Sequence, residues 1–280
     1  MKTAIVTDST AYITKEMREQ LNIHMMPLSV IFDGETYREE IDITAEEFYN
    51  KVKEEGKLPT TSQPPIGEFV ALFEKLAEEY DAVVTIHLSS GISGTFNGAV
   101  SAGTIVGNIQ VYPFDSEVSC LAQGFYAIEA AKMANEGRAP EEIIARLEEM
   151  KKSMRAYFMV DDLANLKRGG RLNSAQALVG SLLQVKPILH FENKLIVPFE
   201  KIRTRKKALN RIFELFDQDA GLKVPMDAVI IHANRQEEAE KIKEDLQSKY
   251  PHLHFTISYF GPVIGTHLGD GAIALGWYKH

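Results

Sequence analysis

The chain has 280 residues, 45% hydrophobic and 25% charged, the make-up of an ordinary globular protein of about two domains and not of a disordered, collagen-like or fibrous chain. Its 31 Lys and Arg against 39 Asp and Glu leave a net charge of −8, the wrong sign for gripping a phosphate backbone, so nucleic acid is set aside as a main partner. The single cysteine, Cys120, can neither close an intramolecular disulfide nor build a thiolate zinc site; with no signal-like run after Met1 and no apolar stretch of about 18 residues, a cytoplasmic protein is expected.

Short β-branched runs alternate with helical patterns, which predicts α/β architecture. Ala4-Ile5-Val6 is the first strand. Thr44 followed three residues later by Glu47 is a capping box, and Gly56 stands where that helix should stop. Phe69, Leu72, Phe73 and Leu76 fall on one helix face. Strands follow at Val83 to Ile86 and Ile109 to Tyr112, and Pro140 opens a helix whose stripe is Ile143, Ile144, Leu147 and Met150. The domain boundary is placed after it, giving an N-terminal α/β domain over residues 1–153 with a mainly parallel sheet and a C-terminal α/β domain over 154–280 with a mixed one. The second half opens with a strand at Tyr157 to Val160 and a hairpin of Ile188 to Phe191 and Leu195 to Val197. Helix faces at Leu209, Ile212, Phe213, Phe216 and at Ala239, Ile242, Leu246 alternate with strands at Val229 to Ile231, Phe255 to Ile257 and within Ala272 to Trp277.

In parallel α/β sheets the ligand crevice lies beyond the carboxyl ends of the strands. The loops there are Asp8-Ser9-Thr10, Ser89-Ser90-Gly91-Ile92-Ser93-Gly94-Thr95 and Asp115-Ser116. Ser, Thr and Asp are good helix caps in any one loop; three hydroxyl-bearing loops together favour a polar ligand, and the glycines of the second suit an anion at a helix amino end. Gly91-Ile92-Ser93 begins like a hydrolase nucleophile elbow, but the pattern needs Gly where Thr95 stands. His87, His232 and His267 are the candidate bases. Pro59 to Pro65 reads as an ordered loop with three hydroxyls and the Gln63 amide, and Gly261 to Gly271 as a tight glycine loop holding His267. No spacing of His, Cys or carboxylate marks a metal site. Arg168-Gly169-Gly170-Arg171 and Arg203-Thr204-Arg205-Lys206-Lys207 stand out from the acidic background; a charge run is usually a solvated face, but arginines around a Gly-Gly turn suit phosphate, carboxylate or an acidic surface.

Val6-Thr7-Asp8-Ser9-Thr10, Thr61-Ser62-Gln63-Pro64, Ser89 to Thr95, Arg168-Gly169-Gly170-Arg171 and Gly261-Pro262-Val263-Ile264-Gly265-Thr266-His267, in this order and across the whole chain, resemble the DegV family. Asp270 and Asn173 depart from its pattern. The resemblance implies two α/β domains with a long-chain fatty acid, such as palmitate, in a lipid tunnel between them. It further implies a carboxylate held by Thr61 and Ser93, with Ser62 alongside and His267 near the same head group. Such proteins are acyl-carrying subunits of bacterial fatty acid kinase: a separate ATP-binding subunit phosphorylates the carboxylate, and the acyl phosphate enters phospholipid synthesis. The chain is then expected to be a lipid-binding carrier and not an enzyme by itself, without cofactor or metal. Arg168, Arg171, Arg203 and Arg205 are expected to form a basic face for the kinase subunit or for transient contact with an anionic membrane surface. Two other readings stay open, a Ser93-dependent esterase or hydrolase and a binder of a small polar anion.

Overall fold

The computed structural model describes residues 1–172 and 186–280, so Asn173 lies outside the described residues. Along the chain come β1 (Thr3–Asp8), α1 (Lys15–Leu21), β2 (Ile23–Met26), β3 (Ser29–Phe32), β4 (Glu35–Arg38), α2 (Ala45–Glu55), β5 (Thr60–Ser62), α3 (Ile66–Leu76), β6 (Ala82–His87), α4 (Thr95–Ile105), β7 (Gln110–Asp115), α5 (Cys120–Asn135) and α6 (Pro140–Ser153). There follow β8 (Arg155–Met159), α7 (Ala164–Arg168), β9 (Ile188–Glu192), β10 (Leu195–Glu200), α8 (Arg205–Ala220), β11 (Met226–His232), α9 (Gln236–Lys249), β12 (His254–Tyr259), α10 (Pro262–Leu268) and β13 (Ile273–Lys279). Packing divides the chain into one unit of Met1–Ile43 with Thr61–Lys152 and a second of Thr44–Thr60 with Ser153–His280. A single cut between 153 and 154 does not contain the excursion of α2 into the second unit.

The first unit is built on a four-stranded sheet in the order β2-β1-β6-β7, every neighbouring pair parallel. β1 and β6 are buried along their whole length, which is why they read as continuous apolar or β-branched runs instead of alternating ones. One core gathers Ala4 and Val6 of β1, Val83 of β6, Phe69 and Phe73 of α3 and Ala99 of α4; burying each phenylalanine contributes about 2 to 3 kcal/mol. α5 is buried over nearly all of its first half, Cys120 to Ala127, and so has no amphipathic stripe for a sequence reading to find. A smaller sheet runs in the order β4-β3-β5; its β5 turns the expected loop between Pro59 and Pro65 into a short strand flanked by the prolines, which cannot donate to a ladder.

The second unit carries a six-stranded mixed sheet in the order β10-β9-β8-β13-β11-β12. Only β11 and β12 pair in parallel, and the β9–β10 hairpin is as expected from its turn residues. Ile212 and Phe216 of α8, Ile242 and Leu246 of α9, and Trp277 of β13 meet in its core. The Thr44–Glu47 capping box is formed in full, and Gly56 ends α2 with φ 63°. α2 belongs to this unit because the Tyr49 hydroxyl donates to the Phe260 carbonyl at 2.8 Å and the Phe48 and Tyr49 rings close on Gly265, where a Cβ would collide with both. Residues 261 to 271 are not one glycine loop: Pro262 starts α10 at its first turn, and Gly269 ends it at φ 77°, the proline-first, glycine-last helix signature. His267 therefore stands in the last turn of a helix.

Candidate functional site

Because every strand of the first sheet runs the same way, Asp8, His87 and Asp115 finish β1, β6 and β7 at one edge. Two of the three organise the loops that follow. Asp8 is fully buried; its Oδ1 lies 2.6 Å from the Thr10 hydroxyl and accepts from the Thr10 N–H, while its Oδ2 accepts from the Leu88 N–H at 3.0 Å. The His87 Nδ1 lies 3.0 Å from the same Oδ2, and the Nε2 lies 2.6 Å from the Thr85 hydroxyl. Gln123 of α5 ties Thr10 to Thr7. Each of these polar atoms has a partner, the condition under which a buried network rigidifies a fold. Asp115 does the same work further along, accepting from the Ser90 hydroxyl at 2.5 Å and the Ser90 N–H at 3.1 Å.

Ser93 follows in a tight turn closed by its N–H to the Ser89 carbonyl at 3.1 Å. Its Oγ lies 2.8 Å from the Thr95 hydroxyl and accepts from the Thr95 N–H. Gly94 then caps α4 with no side chain of its own, and although the Ser93 Oγ takes the Thr95 N–H, the helix dipole gives this amino end a positive potential suited to a carboxylate. Thr61 sits half-buried in β5, and Ser62 is exposed with its hydroxyl donating to the Gln63 carbonyl at 3.0 Å. The loop of Thr61 and the loop of Ser93 meet, because the Gln63 side chain lies over Gly94. His87, with ring nitrogens facing Asp8 and Thr85, is not directed at Ser93. His232 is likewise structural: its Nδ1 accepts from the Arg235 N–H and its Nε2 faces Gln236.

His267 belongs to the second unit and is mostly buried. Burial, reinforced by the charges of Arg171 and Arg168, lowers its pKa to about 4, so at neutral pH the imidazole is uncharged. The two glycines of the Arg168-Gly169-Gly170-Arg171 motif have separate reasons: Gly169 leaves room for the His267 ring where a Cβ would strike Nδ1, and Gly170 turns the chain at φ 69°. The four arginines do not share one environment. Arg205 is turned inward, donating to Glu238 at 2.8 Å, to the Gly271 carbonyl at 2.7 Å and to Asp161 at 3.3 Å. It is a clamp between α8, α9 and two loops and not part of an open basic face. Arg203 is exposed and lines an open groove of about 430 Å³ with Lys201, Lys207 and Arg211. Arg168 is exposed, and Arg171 donates to the Gly169 carbonyl at 2.5 Å. Asp270, one of the departures, pairs with Arg235 at 2.9 Å. Among the described residues no group of His, Cys, Asp or Glu is placed to hold a metal, and no helix is long and apolar enough to cross a membrane.

The family model described as "Uncharacterised protein, DegV family" matches residues 2–280. The chain belongs to the DegV family. Protein DegV of Bacillus subtilis is 67% identical over 278 residues, 99% of each chain. The crystal structure of DegV, a fatty acid binding protein from Bacillus subtilis, superposes with a TM-score of 0.97 at 66% identity and covers 100% of both chains. A DegV family protein from Thermus thermophilus, described by its fatty acid binding, superposes at 0.92 with 30% identity, again over 100% of both. The mixed α/β architecture, one parallel and one mixed sheet, is that of DegV proteins.

Proposed function

We propose that this chain binds a long-chain fatty acid of the palmitate class and presents its carboxylate to a separate ATP-binding kinase subunit, in cytoplasmic lipid transport towards phospholipid synthesis. The observation that carries the reading is its likeness, at a TM-score of 0.97 and 66% identity, to a DegV protein described as fatty acid binding. The hydroxyls of Thr61 and Ser93 donate to the carboxylate beside the open amino end of α4, with Ser62 at the margin of the site and a neutral His267 orienting the head group. Burying the tail gains about 0.8 kcal/mol per methylene, roughly 11 kcal/mol for about fourteen of them before ordering costs. The tail supplies affinity. A buried carboxylate left without donors would cost several kcal/mol, whereas a bidentate Arg would hold its charge so firmly that it would attack ATP poorly; hydroxyls are the compromise. The chain then acts as a carrier, with the lipid as its ligand and no cofactor. Arg168 and Arg203, exposed where Arg205 is not, are left for the electronegative surface of the kinase subunit or an anionic membrane, with Arg171 close to Arg168 in its motif.

A hydrolytic role for Ser93 is disfavoured by the commitment of both His87 nitrogens to Asp8 and Thr85. Mass spectrometry of the organic extract from protein purified out of a bacterial host is the test. A fatty acid of about sixteen to eighteen carbons at roughly one per chain is expected. An extract free of fatty acid, together with no binding on titration, overturns the reading; a polar metabolite in its place would favour the small-anion alternative, and ester turnover lost in Ser93→Ala the hydrolase.

A further inference from the structure

Gln63 stands two residues past Thr61, and its amide lies directly over the backbone of Gly94, the residue after Ser93. A Cβ at position 94 would overlap the Gln63 amide oxygen and carbon. Gly94 has φ −79° and ψ 1°, open to any residue, so backbone freedom does not explain the glycine; the space does. One turn on, a Cβ at Gly98 would touch the Gln63 Nε2 at 3.8 Å and the Phe69 ring at 3.6 Å. Residues four apart share a helix face. The opening of α4 is thus a strip without side chains on which Gln63 lies flat, held by shape.

We propose that Gln63 is a positioning residue: seated on the Gly94–Gly98 strip, it locks the loop of Thr61 against the loop of Ser93 and sets the spacing of the two hydroxyls for a carboxylate. This rests on the reading of those hydroxyls as the head-group donors. Hydrogen bonds weaken steeply outside a narrow range of distance and angle, and a binding constellation slack by about 0.5 Å loses its selectivity. Carboxylate recognition, not tail burial, is what Gln63 governs.

The experiment titrates the full chain, stripped of lipid, with palmitate and with methyl palmitate, comparing wild type with Gln63→Ala, Gly94→Ala, the double variant and Gln63→Met. Each single change to Ala should weaken palmitate by about tenfold, the worth of one hydrogen bond to a charged group, and leave the ester nearly unchanged. The double variant should be no weaker than the worse single one, because both remove the same contact. Gln63→Met, which keeps the shape, should stay near wild type. Normal palmitate binding in both single variants, alongside weakened binding in Thr61→Ala, overturns the positioning role and leaves the head-group reading standing. Normal binding in Thr61→Ala and Ser93→Ala as well overturns that reading too. Equal losses for acid and ester mark general damage, and a Gln63→Met as weak as Gln63→Ala marks the amide and not its shape; either result also sinks the inference.

Discussion

His267 should make the second unit lose stability as the medium is acidified. In the unfolded chain the imidazole titrates near 6.5; in the folded one burial, with Arg171 and Arg168 at hand, holds it at about 4. Above about pH 6.5 neither state carries the proton and the group contributes no pH dependence. Between about 6.5 and 4 the unfolded chain takes up a proton that the native imidazole refuses, so unfolding becomes more favourable as pH falls, and below about 4 the effect levels off. At about 1.4 kcal/mol for each tenfold in proton affinity, the full loss is about 3 kcal/mol, a large fraction of the 5 to 15 kcal/mol typical of a domain. Trp277, the single tryptophan of the sequence, is buried in the same unit, and its fluorescence in urea reports on its surroundings there. Unfolding curves taken from about pH 7.5 to about pH 4.5 should fall more steeply for wild type than for His267→Gln, whose side chain is neutral throughout. His190 and His232, also held low by burial, titrate in both proteins and cancel in the difference. Arg171→Gln should bring the histidine back towards its usual value and so shrink the loss at about pH 5. Parallel curves for wild type and His267→Gln would refute the reasoning, since they would mean that the native imidazole protonates as freely as the unfolded one.

Thr61→Ala and Ser93→Ala should each leave the fold intact and weaken a fluorescent acyl ligand at least about tenfold, each losing about 1.5 to 3 kcal/mol; unchanged affinity in both means the head-group site is elsewhere. Arg205→Ala should lower the urea midpoint read by Trp277, the unfolding free energy falling by about 1 to 2 kcal/mol after allowance for its partial exposure, because it strips Glu238 and the Gly271 carbonyl of a charged donor; a midpoint equal to wild type would show that the clamp is dispensable. Arg203→Glu should leave that midpoint and acyl binding alone but lower acyl-phosphate formation in a kinase-coupled assay, with a deficit that shrinks as salt is added; full turnover at low salt would reduce Arg203 to solvated surface.

Local signals were enough for much of this molecule. The Thr44–Glu47 box, the Gly56 stop, the stripe of Phe69, Phe73 and Leu76 and the 188–197 hairpin depend on neighbours within a few residues, and each appears as read. The alternation of β-branched runs with helical patterns pointed to a parallel sheet, and that sheet put the Ser93 loop at a carboxyl edge. The helix at 262–268 is equally local, opened by Pro262 and closed by Gly269 within a glycine-rich stretch. The first half of α5, Cys120 to Ala127, is buried all round and so carries no period. What only tertiary structure decided involves partners distant in sequence: α2 joining the second unit through Tyr49 and Phe260, and Gln63 lying on Gly94. Arg205 stands in a run of cations that suits a surface, and Asp161 and Glu238, 44 and 33 residues away, turn it inward. A charge pattern records which cations exist; whether one faces water or a carboxylate depends on chain crossings that no short window contains.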